Sequence, residues 1–254
     1  MLRVLRSSAT RFFTTSPIRT ISPFAPPRFS SARSIDDSAP FQKIQIPRVG
    51  RTSTFDGYLV GEHDAPGIVV LQDWLGVDYH AKKHALRISQ LGHGFKVLIP
   101  DIYGGNAQQL IHGIDWLEAM LKLYSSIEWL KTNGSKKVGV TGFGMGGALA
   151  IDCAAKLPPY DAAVAFHGVP PLDDPSDTLL PVQAHFGELD DFVGFSDVET
   201  AKELEENLKK SEYPYEVHTY SGKRHAFMNS DEDDAAVQLA WSRFKEWMTR
   251  YLYS

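Results

Sequence analysis

From Phe41 onward the apolar residues of this chain fall into two alternating patterns. Short runs rich in Val, Ile, Phe and Tyr predict strands over Gln42–Ile46, Ser53–Val60, Gly67–Gln72, Phe95–Pro100, Lys137–Gly142, Ala162–Phe166, Val182–Phe186 and Tyr215–Tyr220. Between them, apolar positions recur every three or four residues and predict helices over Tyr79–Leu91, Gln108–Lys131, Gly146–Lys156, Asp197–Lys210 and Asp233–Tyr251. Runs that are apolar throughout suit strands covered on both faces, and their alternation with helices is the mark of an α/β domain with a mostly parallel, doubly wound sheet of about eight strands. The last helix carries Val237, Ala240, Trp241, Phe244, Trp247, Met248 and Tyr251 on one face, which reads as a core-packing stripe. No internal repeat and no interdomain linker interrupts residues 41–254, which are expected to form one domain.

The pattern stops before residue 41. Residues 1–35 contain six arginines, abundant Ser and Thr, and no Asp, Glu or Lys. Leu2, Leu5, Phe12 and Phe13 have the spacing of a short amphipathic helix. This is the composition of an organellar transit peptide. Arg11-Phe12-Phe13-Thr14 suits mitochondrial processing and import to the matrix, whereas Ser22-Pro23-Phe24-Ala25-Pro26-Pro27 suits a plastid as the alternative; the mature chain is expected to begin between about Thr14 and Ser38. With the leader set aside, 20 basic and 31 acidic residues remain, a net −11 for the body. An acidic body argues against nucleic acid as a partner. No apolar run is long enough to span a membrane, and a single cysteine, Cys153, excludes an internal disulfide or a cysteine-built zinc site.

The sharpest chemical signal is Val138-Gly139-Val140-Thr141-Gly142-Phe143-Gly144-Met145-Gly146-Gly147, a strand passing through a glycine-rich turn into a small-residue helix. Such a G-x-Nu-x-G turn is the nucleophile elbow of α/β-hydrolases, its outer glycines permitting the tight reversal. Gly142 and Gly146 are those outer glycines. The central position is Gly144, which carries no reactive atom. Two later loops follow in the order acid, then histidine: His185-Phe186-Gly187-Glu188-Leu189-Asp190 offers Asp190, and Gly222-Lys223-Arg224-His225-Ala226-Phe227 offers His225 as a general base.

Together with Gln72-Asp73-Trp74-Leu75-Gly76, Ile99-Pro100-Asp101-Ile102-Tyr103-Gly104 and His225-Ala226-Phe227-Met228-Asn229, these motifs make residues 44–252 resemble the dienelactone hydrolase family. The resemblance implies a single α/β-hydrolase domain, hydrolysis of lactones and related esters through an acyl-enzyme on a Cys-His-Asp triad, and no metal or organic cofactor. It assigns Asp190 and His225 as acid and base, Met145 N–H as an oxyanion donor, and a second donor near Trp74. Asp73 stands where the family usually has Glu, a carboxylate that interacts with the nucleophile, and is one methylene shorter. Gly144 replaces the family's cysteine, and the bulky Lys223-Arg224 precedes the histidine, where it could reshape the pocket mouth or attract an anionic substrate.

At a positive-φ elbow, glycine relieves strain worth roughly 1–3 kcal/mol. It also deletes a nucleophile whose loss typically removes ~10⁴ to 10⁶ in turnover. Two functions stay open at this point: a weak or altered hydrolase in which His225 and Asp190 act on water, and a non-catalytic protein that binds a small ester, lactone or carboxylate or serves in an assembly. Cys153, nine positions further on, reads as a packed core thiol. Gly142-x-Gly144-x-x-Gly147 formally matches a dinucleotide fingerprint, but the ribose-binding acid is missing and Asp161 lies at the wrong end of the next strand. His80 and His84 have zinc-ligand spacing without a base or third ligand and read as a solvated helix face. His167 reads as a hydrogen-bonded histidine at a strand end, and the acidic run Asp231–Asp234 as a helix start.

Overall fold

A computed structural model describes residues 40–104, 115–156, 160–170, 178–230 and 232–254. The expected leader therefore lies outside the described residues. All eight anticipated strands are present: β1 (Gln42–Pro47), β2 (Thr54–Val60), β3 (Gly67–Leu71), β4 (Lys96–Pro100), β5 (Val138–Phe143), β6 (Ala162–Phe166), β7 (Val182–Gly187) and β8 (Tyr215–Tyr220). They form one sheet in the order β1-β2-β4-β3-β5-β6-β7-β8. The first two strands pair antiparallel, as do β2 and β4; every pairing beyond is parallel. Strands β3 to β7 are buried along their whole length, because helices cover both faces.

The helices are α1 (Tyr79–Ser89), α2 (Trp116–Thr132), α3 (Met145–Lys156), α4 (Val198–Leu208) and α5 (Ala235–Leu252). One face carries α1 and α5, whose Ala85, Ile88, Trp241, Phe244 and Trp247 pack on Ile68, Val70, Val97 and Val164. The opposite face carries α2, α3 and α4 through Leu123, Ile127, Leu149, Ile151, Leu204 and Leu208. The anticipated stripe on α5 is thus core, except that Tyr251 is only partly buried and Leu252 is buried in its stead.

Helix starts follow local polar chemistry. Asp78, Asp115 and Asp234 each accept backbone N–H bonds from the first turn of α1, α2 and α5. Within the acidic run, Asp234 is that cap and also pairs with Lys223. The expected start of the second helix at Gln108 is corrected for its described part: the helix begins at Trp116, because the Asp115 carboxylate takes Glu118 N–H and ends the pattern there. Positions 108–114 of that expectation lie outside the described residues.

Candidate active site

The residues singled out from sequence lie at the carboxyl ends of four parallel strands, where loops converge above a twisted sheet. Asp73 and Trp74 follow β3, Gly144 links β5 to α3, which Met145 opens, Asp190 follows β7 and His225 follows β8. The elbow is held by Gly144 N–H donating to Phe166 O (2.9 Å) and Ala148 N–H donating to Gly144 O (3.0 Å). Its flanking glycines are a matter of space: a Cβ on Gly142 would run into the Gly146 carbonyl and one on Gly146 into the Leu71 carbonyl. Gly144 itself has φ +54°, the left-handed conformation a nucleophile must tolerate at strain and glycine adopts freely.

Asp190 and His225 are brought together. His225 Nδ1 donates to Asp190 Oδ2 at 2.8 Å, and the Phe192 N–H donates to Asp190 Oδ1 at 3.2 Å. The Asp190 carboxylate is buried, so its two oxygens are fixed by these partners. That bond selects the imidazole tautomer with its lone pair on Nε2, the form a general base needs. Ser196 Oγ, buried, lies 3.1 Å from the same Nδ1. Phe192 packs against the ring at 4.4 Å between centroids. Nothing in the sequence marked Ser196 or Phe192, since their approach depends on how the loop after β7 folds back. Lys223 does not obstruct the pair: its ammonium is turned to Asp234 at the start of α5, and Arg224 is exposed.

Asp73 occupies the place the sequence left empty. Its Oδ1 accepts the Trp74 N–H at 2.8 Å and the Met145 N–H at 3.1 Å, the two donors expected to form the oxyanion hole. A Cβ built on Gly144 would lie 2.5 Å from Asp73 Cγ and 2.6 Å from Oδ2. The carboxylate therefore sits where a nucleophile's side chain would begin, rather than beside one. Burial pushes the Asp73 carboxyl above the ordinary range; the two N–H bonds and nearby His225 act in the opposite sense, and Asp78 adds to the rise. Tyr103, raised chiefly by burial and then by the Asp73 charge, keeps its phenolic proton. The Asp73 carboxyl group also occupies the space above Gly144 that a pyrophosphate would need. Asp161 is a strand-entry residue, accepting from Val138 N–H and pairing with Lys137.

Two histidine expectations are corrected. His84 does not face solvent: it is 3 % exposed, stacked on Phe143 at 4.2 Å, and bonded through Nε2 to Asn229 Oδ1 at 2.9 Å. Burial lowers its pKa to about 3, because α1 turns this residue toward α5 and the sheet. His167 is buried as a strand-end residue, but its Nδ1 has no hydrogen-bond partner, and its φ of +41° is strained for a non-glycine residue. It stands edge-on to His225 at 5.0 Å and is held neutral mainly by burial, next by the His225 charge. Cys153 is a buried core thiol with a pKa raised by burial, as anticipated, and supplies no substitute nucleophile. Among the described residues no cluster of His, Cys, Asp and Glu has the arrangement of a metal site.

A dienelactone hydrolase family model matches residues 55–252. The protein named usf of Aquifex pyrophilus is 31% identical over 213 residues, covering 72% of this chain and 89% of that protein. A putative carboxymethylenebutenolidase of Aquifex aeolicus is 28% identical over 210 residues, with the same coverage of both chains. In fold, the crystal structure of a putative dienelactone hydrolase from Klebsiella pneumoniae matches with TM-score 0.71 at 20% identity, covering 83% of this chain and 98% of that one.

Proposed function

The chain belongs to the dienelactone hydrolase family, and we propose that it hydrolyses small carboxylic esters or lactones slowly, with His225 and Asp190 activating water in place of a cysteine. The observation that carries this reading is the 2.8 Å bond between His225 Nδ1 and Asp190 Oδ2, which leaves Nε2 poised to take a proton. A positioned general base of this kind contributes ~10² to 10⁴. The Trp74 and Met145 N–H groups add the charge stabilisation of an oxyanion hole, provided the substrate carbonyl oxygen displaces Asp73 Oδ1 from them. That displacement and the missing covalent step both keep turnover low, ~10³ to 10⁴ above water. Residues 1–35, Arg-rich and free of acid, are proposed to direct the protein to the mitochondrial matrix.

The test is turnover of a small aryl ester and a dienelactone by the full chain beside its His225→Ala variant. A fall of about 10²-fold or more on removing His225 is expected. Equal rates in the two proteins would overturn the water route.

A further inference from the structure

In the resting site the oxyanion donors are already taken, by a carboxylate of the protein itself. Both N–H groups converge on Asp73 Oδ1, while Oδ2 is held by neither. Asp73 is half-buried. Gly144 removes the side chain that would otherwise stand in that spot, and both carboxylate oxygens of Asp73 crowd the place where its Cβ would be, Oδ1 nearest and Oδ2 at 2.6 Å. We propose that Asp73 is itself a nucleophile, and that its substrate is a molecule with a saturated carbon bearing a leaving group, an epoxide or a primary alkyl halide.

The geometry favours saturated carbon over carbonyl carbon for a simple reason. Attack on an ester needs the oxyanion hole for the substrate's oxygen, yet Asp73 already fills it. Attack by Oδ2 on a saturated carbon needs no such hole, because the electron pair of the breaking bond leaves on the epoxide oxygen or the halide. In the first step the Oδ2–carbon bond forms and the carbon–oxygen or carbon–halogen bond breaks; an epoxide alkoxide takes its proton from water. The product is an ester of Asp73 whose carbonyl oxygen is Oδ1, resting on the Trp74 and Met145 N–H groups. Here the hole becomes useful. His225 takes a proton from water, the hydroxide adds to Asp73 Cγ, and the negative charge gathers on Oδ1. Collapse breaks the Cγ–Oδ2 bond, the departing alkoxide receives the proton from His225, and the Asp73 carboxylic acid left behind gives up its own proton, to the hydroxide formed in the epoxide's first step or to solvent beside the released halide. The net reaction is hydrolysis of an epoxide to a diol, or of an alkyl halide to an alcohol and hydrogen halide.

The experiment incubates the full chain, its His225→Ala variant and its Asp73→Asn variant with styrene oxide and, separately, with 1-bromobutane. Intact-mass and peptide spectra are read alongside aryl-ester turnover. Without His225 the ester is not hydrolysed, so a stable adduct of one styrene oxide, or of one butyl group with bromide released, is expected on the peptide containing Asp73. Which reagent gives it decides between oxygen and halide as the leaving group. Asp73→Asn, which still offers Oδ1 to both N–H groups, is expected to give no adduct. In wild-type protein turned over in heavy-oxygen water, the label is expected in Asp73. No adduct with either reagent, an adduct on another residue, or an equal adduct in Asp73→Asn would overturn the proposal. His225-dependent ester turnover without an adduct would overturn it and leave the water route standing, whereas an adduct without such turnover would do the reverse.

Discussion

The substitution Gly144→Cys puts a side chain into a place that is already occupied. The backbone at residue 144 has φ +54°, where a non-glycine residue is strained by roughly 1–3 kcal/mol. The new Cβ would fall 2.5 Å from Asp73 Cγ and 2.6 Å from Oδ2. Relief requires Asp73 to leave at least one of its two N–H partners, and hydrogen bonds to a charged group contribute ~1.5–3 kcal/mol each. The combined destabilisation is then about 2.5–6 kcal/mol, a fall in melting temperature of roughly 5–25 °C for a domain of this size. Thermal unfolding of the full chain and its variants reads this directly. Asp73→Ala in the same molecule clears the space, so the double variant is expected to be more stable than the sum of the singles predicts by about 1–3 kcal/mol. Aryl-ester turnover should follow the same logic, rising with an acyl-enzyme burst in the double variant and little in Gly144→Cys alone. A Gly144→Cys protein that melts with the wild type and gains full activity would refute the reasoning, since Asp73 would then be free to step aside.

Three further outcomes are expected. The Asp73 carboxyl is raised in the folded protein, so its neutral form is favoured by folding and stability is lost as pH rises through the folded pKa; melting curves of Asp73→Asn should match the wild type in acid and run increasingly above it as pH rises from the ordinary carboxylate range. A constant difference across pH would contradict the assigned burial. His84, near pKa 3 when folded against an ordinary 6.5, works the other way: protonation favours the unfolded chain, and stability should decline as pH falls from about 6.5 toward 3, on the order of a few kcal/mol in all. His84→Leu should lack that acid-side decline in denaturant titrations. Finally, residues 1–40 fused to a fluorescent reporter should carry it to mitochondria, and replacement of Arg3, Arg6 and Arg11 by Gln should leave it in the cytosol; plastid accumulation in plant cells would redirect the assignment.

Much of the scaffold was legible from the chain alone because it rests on local periodicity. Eight strands and the covered face of α5 are written in residue order, since a strand buried on both faces must be apolar throughout and an amphipathic helix must repeat its apolar residues. The elbow, Asp190 and His225 could be read for a similar reason: each sits in a short segment whose glycines or strand ending announce a turn. Linear spacing also sufficed to put Gly144 at the centre of that turn. It could not show what fills the gap. Asp73 and Gly144 are far apart in sequence, and only the parallel pairing of β3 with β5 brings their carboxyl ends side by side. The same holds for Ser196 against His225, and for His84, whose helical spacing looked solvent-facing until α1 was laid beside α5. Periodicity says that a residue lies on a face; which neighbour that face meets, and therefore a group's burial, protonation and chemistry, is decided by contacts between segments that sequence order does not record.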